Sequence, residues 1–320
     1  MKSLKIEIIQ AFSGDSIFLT YIGNDNIKHH ILVDGGMPNT FKNSIKKLIQ
    51  DIDYIDYVFL THIDRDHIGG ILKLLGSTYK DKVKNIFFNS GNSIKVQDSI
   101  LISENDGKEL VKYINESDRI KTNQEEISVK TRFDFDGLKI SFLSPTYEAI
   151  KHFNENYSID EIKEEALISD TTEEQNYQTL DELSKILFRE KSLQNDSANG
   201  VSLAMLLEYY EQRVMLMGDA KDKIVIQSLK GMGCANESNK RLEVDYLKLS
   251  HHGSKFHTSN EFLSLIKCHN FIISTDGSGN SKHPNIEVLA RILCHANRDM
   301  NQKIYFYFNY PKEQYEDKGI

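Results

Sequence analysis

The sequence predicts an α/β (α+β) protein built as a four-layer αββα sandwich, and three observations support this. Short apolar and β-branched runs alternate with stretches of helical periodicity. These runs form two strand-rich halves, each accompanied by helices that can cover one face of a sheet. Metal-capable residues cluster where predicted strands end, which is where α/β folds place their ligand sites. We expect one domain over residues 1–320, with a helical insertion at 147–194.

The first half supplies one set of strands with its covering helices. The strands are indicated by alternating or continuous apolar residues and the helices by 3.6-residue spacing. The dipeptide Asp136-Gly137 favours a tight turn, which predicts a hairpin between RFDF and KISFLSP. Further strands are expected at residues 4–9, 16–22, 30–34, 56–61 and 84–89, and helices from Pro38 onward, at 67–75 and at 107–117.

Residues 147–194 interrupt this alternation. The segment is acidic, and its two helical stretches are separated by polar residues. One interpretation is a solvated cover. The other is a lid over the active edge, because long insertions in compact domains are often functional.

The second half resumes the alternation. VSLAMLLEYY and RVMLMGDA predict a hairpin with its turn at Glu211-Gln212 and its end at Asp219. A helix is expected from Lys221 to Lys230, and strand DYLKLS then ends in the turn HHGS. Helix NEFLSLIK, strand NFIISTD, helix NIEVLARILCHAN and strand KIYFYFN complete the pattern.

The segment THIDRDHIGG, residues 61–70, carries the strongest chemical signal. It lies between a buried strand and a helix, and it holds four metal-capable side chains, His62, Asp64, Asp66 and His67. An isolated His-Asp pair on a surface loop is usually only solvated polarity, but four such residues on one turn must converge. Imidazole and carboxylate are ligands for divalent cations. The Gly-Gly pair that follows permits close backbone approach.

This segment resembles the HxHxDH signature of the metallo-β-lactamase fold hydrolases, with Asp64 where a second histidine is commoner. Other blocks follow in the order of that fold: SGDSIFL (13–19), ILVDGG (31–36), VMLMGDA (214–220), LKLSHHGS (247–254) and KHPNIEVLARI (282–292). Together they resemble the hydrolase domain of ComEC-type bacterial competence proteins. The resemblance covers the chain apart from residues 92–130 and 150–195.

The resemblance implies a metal centre built from both halves. Asp219 matches the metal-binding aspartate of the family, and His251 matches its last histidine ligand. His252 is the alternative to His251, because neighbouring side chains on an extended chain point in opposite directions. Asp34 matches a buried aspartate that supports the ligand loops. The expected metal ligands are therefore His62, Asp64, Asp66, His67, Asp219 and His251 or His252.

One departure from the family pattern bears on the metal. The third histidine of the common dinuclear pattern is missing, because His152 has no strand-end placement; Asn89 or Asn92 is the candidate substitute. An oxygen-rich first site suits Mn²⁺ or Mg²⁺ as well as Zn²⁺. We expect one or two divalent ions, Zn²⁺ or Mn²⁺.

The resemblance implies hydrolysis by metal-activated water. Asp66 would ligate metal and orient the water, and Lys255 or His283 would stabilise developing charge or the leaving oxygen. For His283 the alternative is a polar helix start before Pro284. The expected function is a phosphodiesterase or nuclease. Hydrolysis of a small ester, lactone or amide is the second hypothesis, and a non-catalytic metal-binding sensor is the third.

Composition limits the partners. The formal charge of −8 argues against a broad nucleic-acid surface, although Lys248, Lys255 and Lys282 leave room for a local basic groove. No apolar run reaches the roughly 18 residues of a membrane helix, and the start of the chain lacks a secretory pattern. We therefore expect a cytoplasmic protein without a membrane partner. Its three cysteines are widely spaced and are expected to be free thiols.

Overall fold

Two β-sheets packed face to face, with helices on both outer faces, form the architecture of the chain. The computed structural model describes residues 3–89, 105–156, 179–186, 188, 197–235, 240–278 and 283–318. The αββα sandwich predicted from the sequence is confirmed in these residues.

The first sheet has six strands in the order β1-β2-β3-β4-β5-β6. Strands β1 to β3 pair antiparallel, and β3 to β6 pair parallel. Their bounds are β1 Lys5–Ile8, β2 Ile17–Ile22, β3 Lys28–Val33, β4 Tyr57–Phe59, β5 Asn85–Phe87 and β6 Lys121–Thr122. The carboxyl ends of β3 and β4 therefore lie at the same edge.

The second sheet has seven strands in the order β15-β14-β12-β10-β9-β8-β7. Strands β7 to β10 pair antiparallel, and β10, β12, β14 and β15 pair parallel. Their bounds are β7 Arg132–Phe135, β8 Leu138–Ser144, β9 Ala204–Tyr209, β10 Gln212–Leu216, β12 Tyr246–Lys248, β14 Asn270–Ile273 and β15 Tyr305–Phe308. A separate parallel pair is formed by β11 Leu242–Glu243 and β13 Ile266–Lys267.

The helices lie on the outer faces and between strands. A continuous helical stretch contains α1 Pro38–Thr40, a π-helical turn Phe41–Ile45 and α2 Lys46–Ile49. The others are α3 Arg65–Leu75, α4 Asn105–Asn115, α5 Tyr147–Asn156, α6 Leu180–Ser184, α7 Ser197–Gly200, α8 Asp222–Gly231, α9 Asn260–Leu265 and α10 Ile286–Cys294. Short 3₁₀ turns cover Lys80–Lys82, Ser250–Gly253 and Lys312–Lys318.

The apolar core has three layers, one between the sheets and one beneath each helical face. Between the sheets, Phe59 of β4 faces Phe142 of β8 with ring centroids 6.1 Å apart. Outside the first sheet, Ile71 of α3 is fully buried, and outside the second sheet Val288 of α10 is equally buried. This packing fixes where the strand ends meet.

Several element boundaries differ from the sequence prediction, and two of these differences have a clear local cause. The hairpin turn expected at Glu211-Gln212 begins one residue earlier, because Tyr210 takes the left-handed conformation (φ 53°) and Gln212 already pairs in β10. The helix predicted over NEFLSLIK ends at Leu265, since Ile266 and the next residue pair with β11.

The described part of the 147–194 insertion contains α5 and α6. Helix α6 packs on α10, and its first turn is closed by a capping box between Thr179 and Glu182. Most of the remaining insertion lies outside the described residues, and its role as a lid stays a prediction. None of the helices in the described ranges has the length and apolarity needed to cross a bilayer.

Helix α3 approaches the loop after β3 so closely that glycine is required there. A Cβ on Gly70 would lie 1.9 Å from the carbonyl oxygen of Gly35, and the Gly70 N–H donates to Gly36 O over 2.9 Å.

We expect Gly70→Ala to lower the free energy of unfolding by about 1–3 kcal/mol, because the methyl group forces helix and loop apart. The matched control is Gly231→Ala at the end of α8, where a Cβ meets no atom of the described residues within 4 Å. Urea titration of both variants checks this. Equal stability of the two variants would contradict the packing argument.

Candidate metal centre

Four strand ends bring the predicted residues to one edge of the sandwich. Asp34 follows β3, His62 follows β4, Asp219 follows β10, and the residues 250–252 follow β12. Because β3 and β4 are parallel, as are β10 and β12, each pair of ends opens on the same side. The two sheets therefore share one cluster of polar side chains.

The signature turn presents its side chains in order around the start of α3. Asp64 is the residue before the helix, in an extended conformation (φ −65°, ψ 145°), and Asp66 lies in the first turn. His62 and His67 are buried with ring centroids 4.1 Å apart. The His62 Nε2 lies 3.3 Å from Asp64 Oδ2, so the loop and the helix approach the same point.

One carboxylate oxygen, Asp219 Oδ2, lies at the centre of these groups. It is surrounded by the Nε2 atoms of His67 at 3.4 Å, His252 at 3.7 Å, His251 at 3.8 Å and His62 at 3.9 Å. Asp66 Oδ2 lies 3.5 Å from His252 Nε2. We call these side chains, together with Asp64, the Asp219 cluster.

Both histidines of the HHGS turn reach the Asp219 cluster. His251 (φ 46°, ψ 53°) and His252 (φ 56°, ψ 19°) are left-handed, so the alternation expected of an extended chain does not apply. They differ in burial, because the His252 side chain is 4% exposed and the His251 side chain 25% exposed. His252 also approaches Asp66, with 3.5 Å between Nε2 and Asp66 Oδ2.

Outer contacts hold His67 and His252 in one orientation. The Nδ1 of His67 lies 2.9 Å from Asp34 Oδ2, and the Nδ1 of His252 lies 2.8 Å from the carbonyl oxygen of Ser274. Because a carboxylate and a carbonyl only accept, Nδ1 carries the hydrogen in both rings. In a neutral ring, Nε2 then directs a lone pair at the Asp219 carboxylate.

Hydroxyl groups hold His62 in the same way. Thr61 Oγ1 donates to Asp34 Oδ2 over 2.8 Å, so its lone pair accepts from His62 Nδ1 at 3.0 Å. Ser202 Oγ, which accepts from the Asp219 N–H, lies 3.3 Å from the same nitrogen. No described residue forms a hydrogen bond with Nε2 of His62, His67 or His252. When these rings are neutral, three buried Nε2 lone pairs therefore point at the region around Asp219 Oδ2, where the described residues offer no hydrogen-bond donor to them.

A buried ion pair joins the first and second sheets beside this point. The Lys248 ammonium contacts Asp15, donates to Gly218 O over 3.0 Å and lies 3.8 Å from Asp219 Oδ1. Asp15 Oδ1 lies 3.3 Å from His252 Nδ1. Lys248, named from sequence as a candidate for a basic groove, is fully buried and faces inward.

The carboxylates are strongly acidic in this setting. Burial alone would raise the pKa of Asp219, but His67, His251 and His252 hold it well below its usual range. Burial likewise opposes ionisation of Asp15, yet Lys248 and then His252 bring its pKa to about 2. Asp219 and Asp15 therefore both stay charged at neutral pH.

The same charges raise the pKa values of two buried histidines. Burial alone would lower the pKa of His252, but Asp219 and Asp15 raise it to about 10. Asp219 and Asp34 likewise outweigh burial and raise the pKa of His67 well above its ordinary value. If no metal ion is bound, protons on these histidines offset the negative charge of the carboxylates.

The charge balance and the donor set fit divalent cations. The carboxylates that contact these histidines or Lys248 are Asp15, Asp34, Asp64, Asp66 and Asp219. With one ammonium and neutral histidines, their net charge is −4, which two divalent cations would neutralise. Imidazole nitrogen with carboxylate oxygen suits Zn²⁺ and Mn²⁺.

A histidine-rich wall adjoins the cluster on one side. His251 Nδ1 lies 3.3 Å from His257 Nε2, and its ring centroid is 5.2 Å from that of His283. Burial, reinforced by His251, lowers the pKa of His283 well below its ordinary value, so this ring is neutral at pH 7. Lys255 is 8% exposed and lies 3.5 Å from Glu287 rather than standing as an isolated cation.

The structure describes two of the candidates for the missing third histidine, Asn89 and His152. Asn89 is buried, and its amide donates to and accepts from the backbone of Ile127, both over 2.8 Å. His152 is an exposed residue of α5. Asn92 and Lys282 lie outside the described residues.

Sequence reasoning missed four groups that shape the cluster: Asp15, Thr61, Ser202 and His257. Asp15 and Thr61 stand inside blocks already recognised, SGDSIFL and THIDRDHIGG. Their strand-end positions were the available signal. Ser202 reaches His62 across 140 positions of sequence and has no local signature.

Comparison with known proteins identifies the fold. The model of the metallo-β-lactamase superfamily matches residues 12–85, which contain the signature turn. The metallo-β-lactamase fold protein YhfI from Bacillus subtilis superposes with a TM-score of 0.50 at 9% identity, covering 96% of each chain. The protein therefore has the metallo-β-lactamase fold.

Two other solved structures are similar over much of the chain. Zn²⁺-bound PqqB from Methylobacterium extorquens has a TM-score of 0.44 at 12% identity and covers 92% of this chain and 85% of its own. A long form RNase Z from yeast has a TM-score of 0.44 at 12% identity and covers 86% of this chain and 36% of its own.

The raised pKa of His252 predicts how the stability of metal-free protein depends on pH. The folded value of about 10 lies above the unfolded value of about 6.5, so the stabilisation is complete below about pH 6.5 and is lost as the pH rises through 10. In EDTA-treated protein we expect the free energy of unfolding to fall by about 2–5 kcal/mol between pH 6.5 and 10.

Urea titrations at several pH values measure this slope. His252→Gln removes the titrating group, so its profile is expected to be flatter over the same range. An unchanged slope in the variant would show that His252 is not held between carboxylates as described.

Proposed function

We propose that the protein is a metal-dependent hydrolase, with phosphodiesters as its substrate class. The observation that carries the proposal is the Asp219 carboxylate with four imidazole Nε2 atoms within 3.9 Å. Hydrogen bonds at Nδ1 hold three of those rings, so that Nε2 is the nitrogen left to bind a metal ion when the ring is neutral.

The proposed centre divides into two subsites, a division that pairwise distances support. His62, Asp64 and Asp219 would form the first subsite. Asp66, His67, His252 and Asp219 would form the second, with His252 replacing His251 as the preferred ligand because it is buried and approaches Asp66. The oxygen-rich first subsite suits Mn²⁺ or Zn²⁺, and the second has two imidazoles and suits Zn²⁺.

Bound divalent ions would supply an activated water nucleophile at neutral pH and neutralise negative charge on the substrate. Side chains of the protein would hold the ligands, orient the water and bind the leaving oxygen. Asp34 and Asp15 hold His67 and His252 in place, and Asp66 is positioned to orient a water molecule. Neutral His283 is suited to placing a hydrogen bond on the leaving oxygen.

The two lysines beside the cluster are already paired with carboxylates, so metal ions would have to neutralise the negative charge of a substrate. Lys248 is paired with Asp15 and Lys255 with Glu287, so these two cations are already neutralised. A pair of ions clamps the attacking and leaving oxygens of a phosphodiester well. The ComEC-type resemblance points the same way and stays a prediction. Short or single-stranded nucleic acid is the proposed natural form, given the charge of −8.

The test is hydrolysis of bis-p-nitrophenyl phosphate, single-stranded DNA and a lactone panel by EDTA-treated protein reloaded with Mn²⁺ or Zn²⁺. We expect cleavage of the phosphodiesters and loss of about 10³-fold in kcat/KM in Asp219→Asn and Asp66→Ala. Asp118→Asn, at an exposed aspartate after α4, is the control for a lost carboxylate.

Two outcomes would replace the proposal. Cleavage of lactones without phosphodiesters would favour the small-ester hypothesis. One tightly held ion with no turnover in either metal would favour a sensor, which the absent third histidine also allows.

His283 provides a separate test of the site. We expect His283→Ala to lower kcat about 10²-fold while metal content stays unchanged, because the variant loses the hydrogen bond proposed for the leaving oxygen and keeps all six proposed ligands. His152→Ala, on the exposed face of α5, is the matched histidine control and should alter neither quantity. Loss of metal in His283→Ala would instead make it a ligand.

A further inference from the structure

A second group of metal-capable side chains lies at the end of the sandwich opposite the Asp219 cluster. Strands β3 and β8 both run towards that cluster, so the turns that precede them lie at the far end. The β2–β3 turn belongs to the first sheet and the β7–β8 turn to the second. A hydrogen bond of 2.7 Å from Asn24 N to Asp136 O joins the two turns.

His29 lies at the centre of this second group. It is the second residue of β3, it is 8% exposed, and its ring stacks on Tyr21 with centroids 5.2 Å apart. Its Nε2 lies 3.1 Å from Asp25 Oδ2 and 3.8 Å from Asp136 Oδ2. On the opposite side of the ring, Nδ1 faces Asp56 Oδ2 at 3.6 Å.

A neutral ring cannot satisfy these three carboxylates. If Nε2 carries the hydrogen, the lone pair of Nδ1 faces Asp56; if Nδ1 carries it, the lone pair of Nε2 faces Asp25 and Asp136. Within the described structure no hydrogen bond is formed by His29 Nδ1, although the side chain is nine-tenths buried. Whichever nitrogen carries the hydrogen, a ring lone pair faces carboxylate oxygen, and a cation at that point would offset the repulsion.

The distance to Asp136 is the one that leaves room for an ion. A hydrogen bond accounts for the contact between His29 Nε2 and Asp25 Oδ2, which lie 3.1 Å apart. A gap of 3.8 Å between His29 Nε2 and Asp136 Oδ2 is too long for a hydrogen bond. Two ligands about 2.1 Å from one zinc ion lie about 3.4–3.8 Å apart at tetrahedral and wider angles. One ligand atom from each of Asp25, His29 and Asp136 falls within 4.8 Å of the other two.

The surroundings are those of a prepared site. Asp56 is itself fixed, because it accepts from His30 N over 3.0 Å and from Lys84 Nζ over 2.8 Å. Asp56 Oδ2 faces Nδ1, the ring nitrogen directed away from Asp25 and Asp136, at 3.6 Å, which places a negative charge behind the ring without a hydrogen bond. Asp25 and Asp136 are partly exposed, which leaves an entry path for the ion.

We propose that Asp25, His29 and Asp136 bind one Zn²⁺ ion that clamps the two sheets together, with the negative charge of Asp56 behind His29. The imidazole ligand selects Zn²⁺ over Ca²⁺ and Mg²⁺, and solvent completes the coordination. The ion stabilises the contact between the β2–β3 and β7–β8 turns. This site is independent of the hydrolase proposal.

The test counts zinc in the full chain after dialysis against a zinc buffer. We expect wild-type protein to hold one ion more than His29→Asn, and Zn²⁺ to raise the Tm of the metal-stripped wild type by about 5 °C more than that of the variant. Asp53→Asn, an exposed aspartate near the same end, is the matched control and should keep the additional ion.

Asp136→Asn, in the exposed turn, gives the same readout should His29→Asn fail to fold. Equal zinc content in wild type, His29→Asn and Asp136→Asn would overturn the proposal. Phosphodiesterase activity of these variants is measured in parallel. Retained activity with one ion lost supports the second site, whereas failure of the hydrolase proposal shows as no turnover in any variant.

Discussion

The burial of the Asp219 carboxylate between two sheets is the constraint on which the active edge depends. A buried ionised carboxylate is costly unless positive groups surround it. Imidazoles from two turns and the ammonium of Lys248 surround Asp219. These groups lie at strand ends, so the packing of the sandwich decides whether they meet.

The same constraint explains the polar groups behind the ligands. Asp34, Thr61 and Ser202 contribute little apolar packing, yet they sit in the core beside His62 and His67. Each fixes which ring nitrogen carries a hydrogen. A cation-binding centre needs lone pairs that point inward before the ion arrives, and these contacts provide that arrangement. The close approach of α3 to the loop after β3 holds the same turn from the helical side.

Local patterns predicted the layers and the signature turn, but not the contacts that complete the cluster. THIDRDHIGG is contiguous, and the αββα order follows from periodicity, so both can be inferred from the chain alone. The direction of His251 and His252 depends on two left-handed residues that no propensity requires. Ser202 and Asp15 act through contacts across 140 and 233 positions, which a sequence pattern does not encode.

The ion pair between Lys248 and Asp15 has a consequence for the newly made chain. Its partners are separated by 233 positions, and the wall beside it includes His283. Closing a loop of this length carries an entropic cost, and contacts of high sequence separation slow folding. A ribosome-bound fragment that ends before the second sheet lacks Asp219 and His252, two of the six proposed ligands, so the proposed metal centre can form only after residue 252 has been synthesised.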